Sequence, residues 1–351
     1  MKHNYVAIMA GGAGTRFWPA SNEDKPKQFL DILGIGKSLL QLTYERFSGF
    51  FPDNNIFVVT NKKYKDLVLK QLPLLDEDHL ILEPTRNNTA PSVAYTAFKL
   101  NARDPEANIV MAPSDHFIRK EQLFLEKISG ALHFASGNDA LITLGITPTR
   151  PDTGYGYIEK GEQVKDAGLE IYKVLSFREK PDVETAKKYL ESGNYLWNAG
   201  IFIWKSATII KAFEKYAPGI YNIFLKGNAV YNTPAEKDFI EKNYPLTTKI
   251  SVDFAIMEKA DNIYTIPADI DWSDLGTWKS LHSFLDKDSN KNAVINKNAT
   301  LIDSHDNIIK LPKEKKAIIK GLDDFIVIDE NGVLLIYPKD KEQEIKTLDK
   351  K

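Results

Sequence analysis

Short apolar runs punctuate the chain at residues 6–9, 56–59, 80–82, 109–111, 141–144, 171–175, 201–204 and 263–266, and segments of a different rhythm separate them. Residues 39–47, 91–101 and 123–134 carry apolar side chains at steps of three and four, the period of an amphipathic helix. Short continuous apolar runs suit strands buried on both faces, and strands joined through helical crossovers return in parallel. The alternation therefore predicts an α/β fold built on a mostly parallel sheet. In such a sheet ligands gather at the carboxyl ends of the strands, so chemistry-bearing motifs should follow strands directly.

The rhythm changes after residue 285. Asp286-Lys287-Asp288-Ser289-Asn290-Lys291-Asn292 reads as a polar linker, and beyond it come short β runs at 293–295, 301–302, 308–309, 317–319, 325–328 and 333–337, with Asn, Asp, Gly and Lys at the turns. A chain of 351 residues accommodates about two domains. The expected division is 1–285 for a large α/β domain and 286–351 for a small all-β module, with a charged tail from Lys339 expected to fray.

Composition removes several classes of function. Lys and Arg total 46 against 48 Asp and Glu, a net charge of −2, so no global basic field exists to hold nucleic acid, and any phosphate must be bound locally. The absence of cysteine excludes disulfide frameworks, thiol nucleophiles and Cys-based zinc sites. The six His residues include no i, i+4 pair, which argues against a zinc-binding helix. No apolar run approaches the roughly 18 residues of a membrane span, and the apolar start is too short for a signal segment, so no membrane partner is expected and the cytoplasm is the expected location.

The first apolar run leads straight into Gly11-Gly12-Ala13-Gly14-Thr15-Arg16, followed by Phe17-Trp18-Pro19 and Pro26-Lys27-Gln28-Phe29-Leu30. Three glycines in four positions allow backbone N–H groups to approach a phosphate chain, with Arg16 and Lys27 as countercharge. Phe17 stands where a dinucleotide fingerprint needs glycine, and Asp31 stands where a Walker A loop ending at Gly36-Lys37-Ser38 needs one, so the loop is neither motif. Ser114-Asp115-His116 follows the run at 109–111, which puts a carboxylate at a strand's carboxyl end, a hard oxygen ligand suited to Mg²⁺ beside substrate phosphates.

Together with Glu83-Pro84-Thr85-Arg86-Asn87-Asn88-Thr89-Ala90-Pro91, Gly154-Tyr155-Gly156-Tyr157-Ile158, Phe177-Arg178-Glu179-Lys180-Pro181, Trp197-Asn198-Ala199-Gly200 and Trp272-Ser273-Asp274-Leu275-Gly276-Thr277-Trp278, these blocks resemble, in order, the sugar nucleotidyltransferases and specifically the mannose-1-phosphate guanylyltransferases. The likeness covers residues 1 to about 285 and departs at Asn87, where the family usually carries a basic residue or glycine. It implies a Rossmann-like nucleotidyltransferase fold, with the tail resembling the short left-handed β-helix of some members. It implies GTP and mannose 1-phosphate as substrates, GDP-mannose and pyrophosphate as products, and a homodimer as one assembly open to the chain.

The resemblance also distributes roles. Arg16, Lys27, Asp115 and Asp274 are the expected catalytic group, with Asp115 and Asp274 as the Mg²⁺ ligands. Gly11, Gly12, Gly14, Thr15, Glu83, Asn88, Thr89 and Ser114 are expected on the nucleotide, and Gly154, Glu179, Lys180 and Asn198 on the sugar phosphate. An acceptor next to a cation, as in Glu179-Lys180, suits a hydroxyl beside a phosphate, and Asn198 offers donor and acceptor together. The expected chemistry is direct in-line displacement by an already anionic phosphate oxygen, with no protein nucleophile. Two rivals stand beside this reading: the same transfer with another hexose 1-phosphate or another nucleotide, and a catalytically silent nucleotide-sugar sensor. Retention of the whole charged set argues against the sensor.

Overall fold

The computed structural model describes residues 2–12, 14–166 and 168–350, without the side chains at 15, 166, 349 and 350. The strands in chain order are β1 (Asn4–Met9), β2 (Ile56–Asn61), β3 (Leu80–Glu83), β4 (Asn108–Pro113), β5 (Phe117–Ile118), β6 (Leu141–Ile146), β7 (Tyr157–Asp166), β8 (Leu169–Arg178), β9 (Tyr195–Lys205) and β10 (Ile263–Pro267). Every apolar run up to residue 266 thus lies in a strand. The three amphipathic segments fall in α1 (Leu39–Ser48), the third helix of the chain (Thr89–Arg103) and the fourth (Glu121–Gly137).

Contacts group the chain into two compact units. One comprises residues 1–11, 45–113 and 118–272, the other 12–44, 114–117 and 273–351. The first holds a nine-stranded sheet in the order β3-β2-β1-β4-β9-β6-β10-β8-β7. Its pairings β3–β2, β2–β1, β1–β4 and β6–β10 are parallel, as the crossover rhythm implies. β9 runs antiparallel between β4 and β6, and β8 pairs antiparallel with β10 and β7, so the sheet is mixed. Ile109, Val110, Met111, Leu141, Phe202 and Trp204 are buried in this sheet, and Ala90, Val93, Ala94 and Leu100 of the Thr89–Arg103 helix share the same apolar cluster with most of them.

The second unit collects the glycine loop, the turn after β4 and the C-terminal strands around one apolar cluster that includes Phe17, Leu30, Leu39, Leu275, Trp278, Ile308, Ile326 and Ile345. The expected boundary at 285 separates segments that share this cluster; the contacts follow the buried surface rather than the linker. Beyond β11 (Trp272–Ser273), strands β12 (Ala293–Ile295), β14 (Ile308–Lys310) and β16 (Phe325–Glu330) stack in parallel, as do β13 (Ala299–Ile302) and β15 (Ala317–Lys320). Parallel stacking of successive strands is what a β-helical coil requires. Asn292, Asn307 and the Phe325 N–H form a buried ladder through it, with spacings of 15 and 18 residues. β17 (Val333–Pro338) closes the stack in antiparallel fashion.

The tail corrects one expectation. Residues Lys339–Lys350 form a 3-10 helical segment in which Ile345 is fully buried. Lys339 is buried against Asp306 and Asp324, and Glu342 accepts a hydrogen bond from the Lys279 N–H. One apolar side chain in register with two anchored ones is enough to hold a segment whose composition reads as solvated.

Candidate active site

In the second unit a cavity of about 310 Å³ is lined by Gly14, Arg16, Phe17, Lys27, Asp115, His116, Asp274 and Gly276. All four residues expected to carry catalysis therefore face one space. Gly14 has φ +61°, and a Cβ there would stand 2.6 Å from the Lys27 backbone nitrogen, so only glycine lets the loop lie against Lys27. Gln28 Nε2 donates to the Gly12 carbonyl at 3.0 Å, and the Ser21 hydroxyl donates to the Gly14 carbonyl. The Thr15 side chain lies outside the described residues.

Lys27 is nearly buried, and its Nζ meets Asp115 Oδ2 at 2.8 Å, the Asp274 carbonyl at 2.7 Å and the Leu275 carbonyl at 3.0 Å. Desolvation pushes the Asp115 carboxyl up, but the Lys27 ammonium, His116 and the Lys27 hydrogen bond together outweigh it and hold the group below the usual carboxylate range. Leu275 reaches its place through a backbone at φ +43°, costly for a branched side chain by roughly 1–3 kcal/mol, and its complete burial in the second unit's core fixes it there. Its role is invisible in the sequence, because it acts through a carbonyl. A Cβ on Gly276 would fall 2.7 Å from Asp274 Oδ2, which explains the glycine in that turn.

Among the described residues no three His, Cys, Asp or Glu side chains converge into a metal cage. The donors that do line the cavity, Asp115 and Asp274, are hard oxygens beside two cationic side chains. That set fits a divalent cation of the Mg²⁺ class, which takes one or two carboxylates and completes its shell from water and substrate phosphates. Ser114 is buried, and its carbonyl accepts from Thr43 Oγ1 at 3.1 Å.

The first unit carries the other expected residues. Glu83 ends β3, and its buried carboxylate accepts from the Ser92 and Tyr244 hydroxyls; desolvation raises its pKa against those hydrogen bonds. A Cβ on Gly11 would meet Glu83 Oε2 at 3.5 Å. Asn88 caps the following helix at φ +67°, its side chain accepting from the Thr89 N–H at 2.9 Å. Thr89 Oγ1 accepts from the Val252 N–H at 2.9 Å. Asn87, the departure from the family pattern, is a buried anchor whose Nδ2 donates to the Tyr244 and Thr247 carbonyls and to Thr247 Oγ1.

Gly154 belongs to a loop shaped by Asp152, which accepts from its N–H at 2.8 Å and binds Arg150 through a second oxygen. Glu179 follows β8 with its side chain 8% exposed and paired to Lys180. A Cβ on Gly156 would stand 2.6 Å from Glu179 Oε2 and 3.3 Å from the Asn198 Cβ, so that glycine makes the space the carboxylate occupies. Asn198 lies in β9, with Oδ1 accepting from Thr143 Oγ1 at 2.9 Å and the Gly200 N–H at 3.0 Å, while Nδ2 donates to Asp253 Oδ1 at 3.0 Å. Asp253 belongs to none of the motifs singled out in the sequence, and the structure places it at the start of a π-helical turn, Asp253–Met257. Desolvation and the nearby Glu179 charge push the Asp253 carboxyl up to about 6.

Residues 5–291 match the model of the nucleotidyl transferase family. The chain is 35% identical to a mannose-1-phosphate guanylyltransferase of Salmonella muenchen, across 97% of this chain and 71% of that protein. It is 36% identical to mannose-1-phosphate guanylyltransferase 2 of Escherichia coli O157:H7, across 98% and 72%. Among solved structures it superimposes on a Thermus thermophilus protein described as a mannose-1-phosphate geranyltransferase, with a TM-score of 0.87, 28% identity and coverage of 99% and 98%. With more than three quarters of its length matched to the family model and a glycine loop, strand-end carboxylates and mixed sheet in agreement, the chain belongs to the nucleotidyl transferase family.

Proposed function

We propose that this enzyme transfers GMP from GTP to α-D-mannose 1-phosphate, giving GDP-mannose and pyrophosphate. The observation that supports it most is the single cavity lined by Arg16, Lys27, Asp115 and Asp274. The choice of guanine and mannose follows the names of the relatives. Lys27 and Arg16 bind the triphosphate and offset the charge that develops on the departing pyrophosphate. Asp115 and Asp274 would hold a divalent cation, Mg²⁺ in this reading, which when bound supplies charge neutralisation and alignment of the phosphates. Gly11, Gly12, Gly14, Thr15, Glu83, Asn88, Thr89 and Ser114 shape the nucleotide site. Gly154, Glu179, Lys180 and Asn198 shape the sugar phosphate site, with Lys180 on the phosphate. The attacking phosphate oxygen is anionic at neutral pH, so catalysis rests on positioning two substrates in line, and no covalent protein intermediate forms. No described helix is long and apolar enough to cross a membrane, and we propose that the enzyme works in the cytoplasm on these diffusible substrates.

The test is pyrophosphate release with GTP, Mg²⁺ and a panel of hexose 1-phosphates. Mannose 1-phosphate with GTP should give the highest kcat/KM, excess chelator should abolish turnover, and Asp115→Asn and Asp274→Asn should each lower kcat on the order of 100-fold or more. A preference for another sugar or nucleotide overturns the substrate assignment. Near-normal turnover of either variant overturns the site assignment.

A further inference from the structure

Asn198 was expected to read a sugar hydroxyl with both ends of its amide, and its hydrogen bonds in the fold leave it little capacity to do so. Its Oδ1 already accepts from Thr143 Oγ1 and the Gly200 N–H, the two bonds a carbonyl-type oxygen ordinarily takes, and one Nδ2 hydrogen goes to Asp253. These contacts fix the amide's orientation and aim it at the Asp253 carboxylate.

Asp253 is held from both directions. Asn198 contacts its side chain from β9, and the preceding residue, Val252, is tied by its N–H to Thr89 Oγ1, while the Ala90 N–H donates to the Ile250 carbonyl. The segment that carries Asp253 therefore links the Asn88-Thr89 block to the strand that carries Asn198. A carboxylate offers about four acceptor directions, and the donors on it, the Asn198 and Ser251 side chains and the Asp253 N–H, leave one of them open. Glu179, Lys180 and Asp253 lie within electrostatic reach of one another. Glu179 is already paired to Lys180, whereas among the described residues Asp253 has no ammonium on it, and a sugar hydroxyl is a donor that suits a carboxylate so placed. π-Helical turns of the kind that begins at Asp253 recur at functional sites.

We infer that Asp253 is a specificity-determining residue that accepts a hydrogen bond from one hydroxyl of the hexose phosphate, and that Asn198 is the positioning residue that orients it. This rests on the sugar-phosphate reading above. The companion contact to the sugar remains with Glu179, whose place depends on Gly156.

The experiment measures kcat/KM at saturating GTP for mannose 1-phosphate and for its 2-, 3-, 4- and 6-deoxy analogues, in the wild type and in Asp253→Ala, Asp253→Asn and Asn198→Ala. If Asp253 pairs one hydroxyl, the wild type loses about 10- to 100-fold on the analogue that lacks it. Asp253→Ala should lose a similar factor on mannose 1-phosphate and treat that one analogue as equal to the parent within about 3-fold, whereas the other analogues fall in parallel. Asn198→Ala should weaken the same discrimination and no other, and the KM for GTP should hold within about 3-fold throughout. An equal loss on every analogue, or a KM for GTP that shifts as far as that for the sugar phosphate, overturns the inference. Should Asp253→Ala not fold, the isosteric Asp253→Asn carries the same comparison, and unchanged discrimination in it is equally decisive. A wild type that uses a different hexose 1-phosphate defeats the mannose reading alone, and the deoxy series of that sugar then tests Asp253.

Discussion

Lys27 satisfies one carboxylate and two carbonyls with a single ammonium, and that makes it a structural residue as much as a substrate-binding one. Replacing it by methionine keeps the side-chain volume and removes every partner. Asp115, 30% exposed, would keep part of its hydration, whereas the Asp274 and Leu275 carbonyls would lose a charged donor. Lys27→Met should therefore lower the urea midpoint by the equivalent of about 2–3 kcal/mol and also depress turnover and GTP use, while the KM for mannose 1-phosphate changes little. Chemical denaturation alongside initial-rate kinetics checks both halves; an unchanged midpoint would show that the cation serves the substrate alone. Asp115 is legible in sequence because it follows a strand at its carboxyl end, and Asp274 comes forward only through the resemblance of its motif to the family. Leu275 and Asp253 are legible in neither way, since one acts through its backbone and the other through an amide 55 positions earlier in the chain.

Most strands before residue 270 are legible because burial on both faces leaves an apolar run, whereas β8 mixes buried and exposed positions around Lys173. β7 escapes that signature: after Ile158 its sequence Glu159-Lys160-Gly161-Glu162-Gln163 is polar, as suits a strand at the end of the sheet with water along much of its length. The insertion of β9 between β4 and β6 escapes for a different reason, because direction is set by which neighbour a strand meets and the run 201–204 reads the same either way. At the turn that feeds β7, Gly156 has a purpose only its neighbours reveal. Gly156→Ala would place a methyl group 2.6 Å from Glu179 Oε2, against a carboxylate whose own side chain is nearly buried. The expected result is a displaced Glu179, a fall of about 10-fold or more in kcat/KM for mannose 1-phosphate, and an unaltered KM for GTP. Steady-state kinetics with each substrate varied in turn decides it, and equal effects on both would mean that the turn does more than make room.

At the scale of the whole molecule, the division into two units is drawn by shared apolar surface, and residues 339–350 belong to it despite their charge. Ile345 is fully buried in the same cluster as Leu275, and Glu342 accepts from the Lys279 N–H in the first turn of the helix that follows the Asp274 turn. Ile345→Ala should cost about 2–4 kcal/mol in denaturant stability, and the loss should appear in kcat sooner than in either KM, because the residue touches no substrate. A stability loss below about 1 kcal/mol would mean that the tail packs without bearing weight. Lys341, exposed in that segment, is open to a protease. A cut there would not remove a substrate contact, yet it would turn a covalent wall of the second unit's core into a detachable one. Activity in the nicked enzyme should then follow a binding curve, set by how much of the Ile345-bearing fragment is docked, and a synthetic peptide of that sequence should restore it in proportion to its concentration.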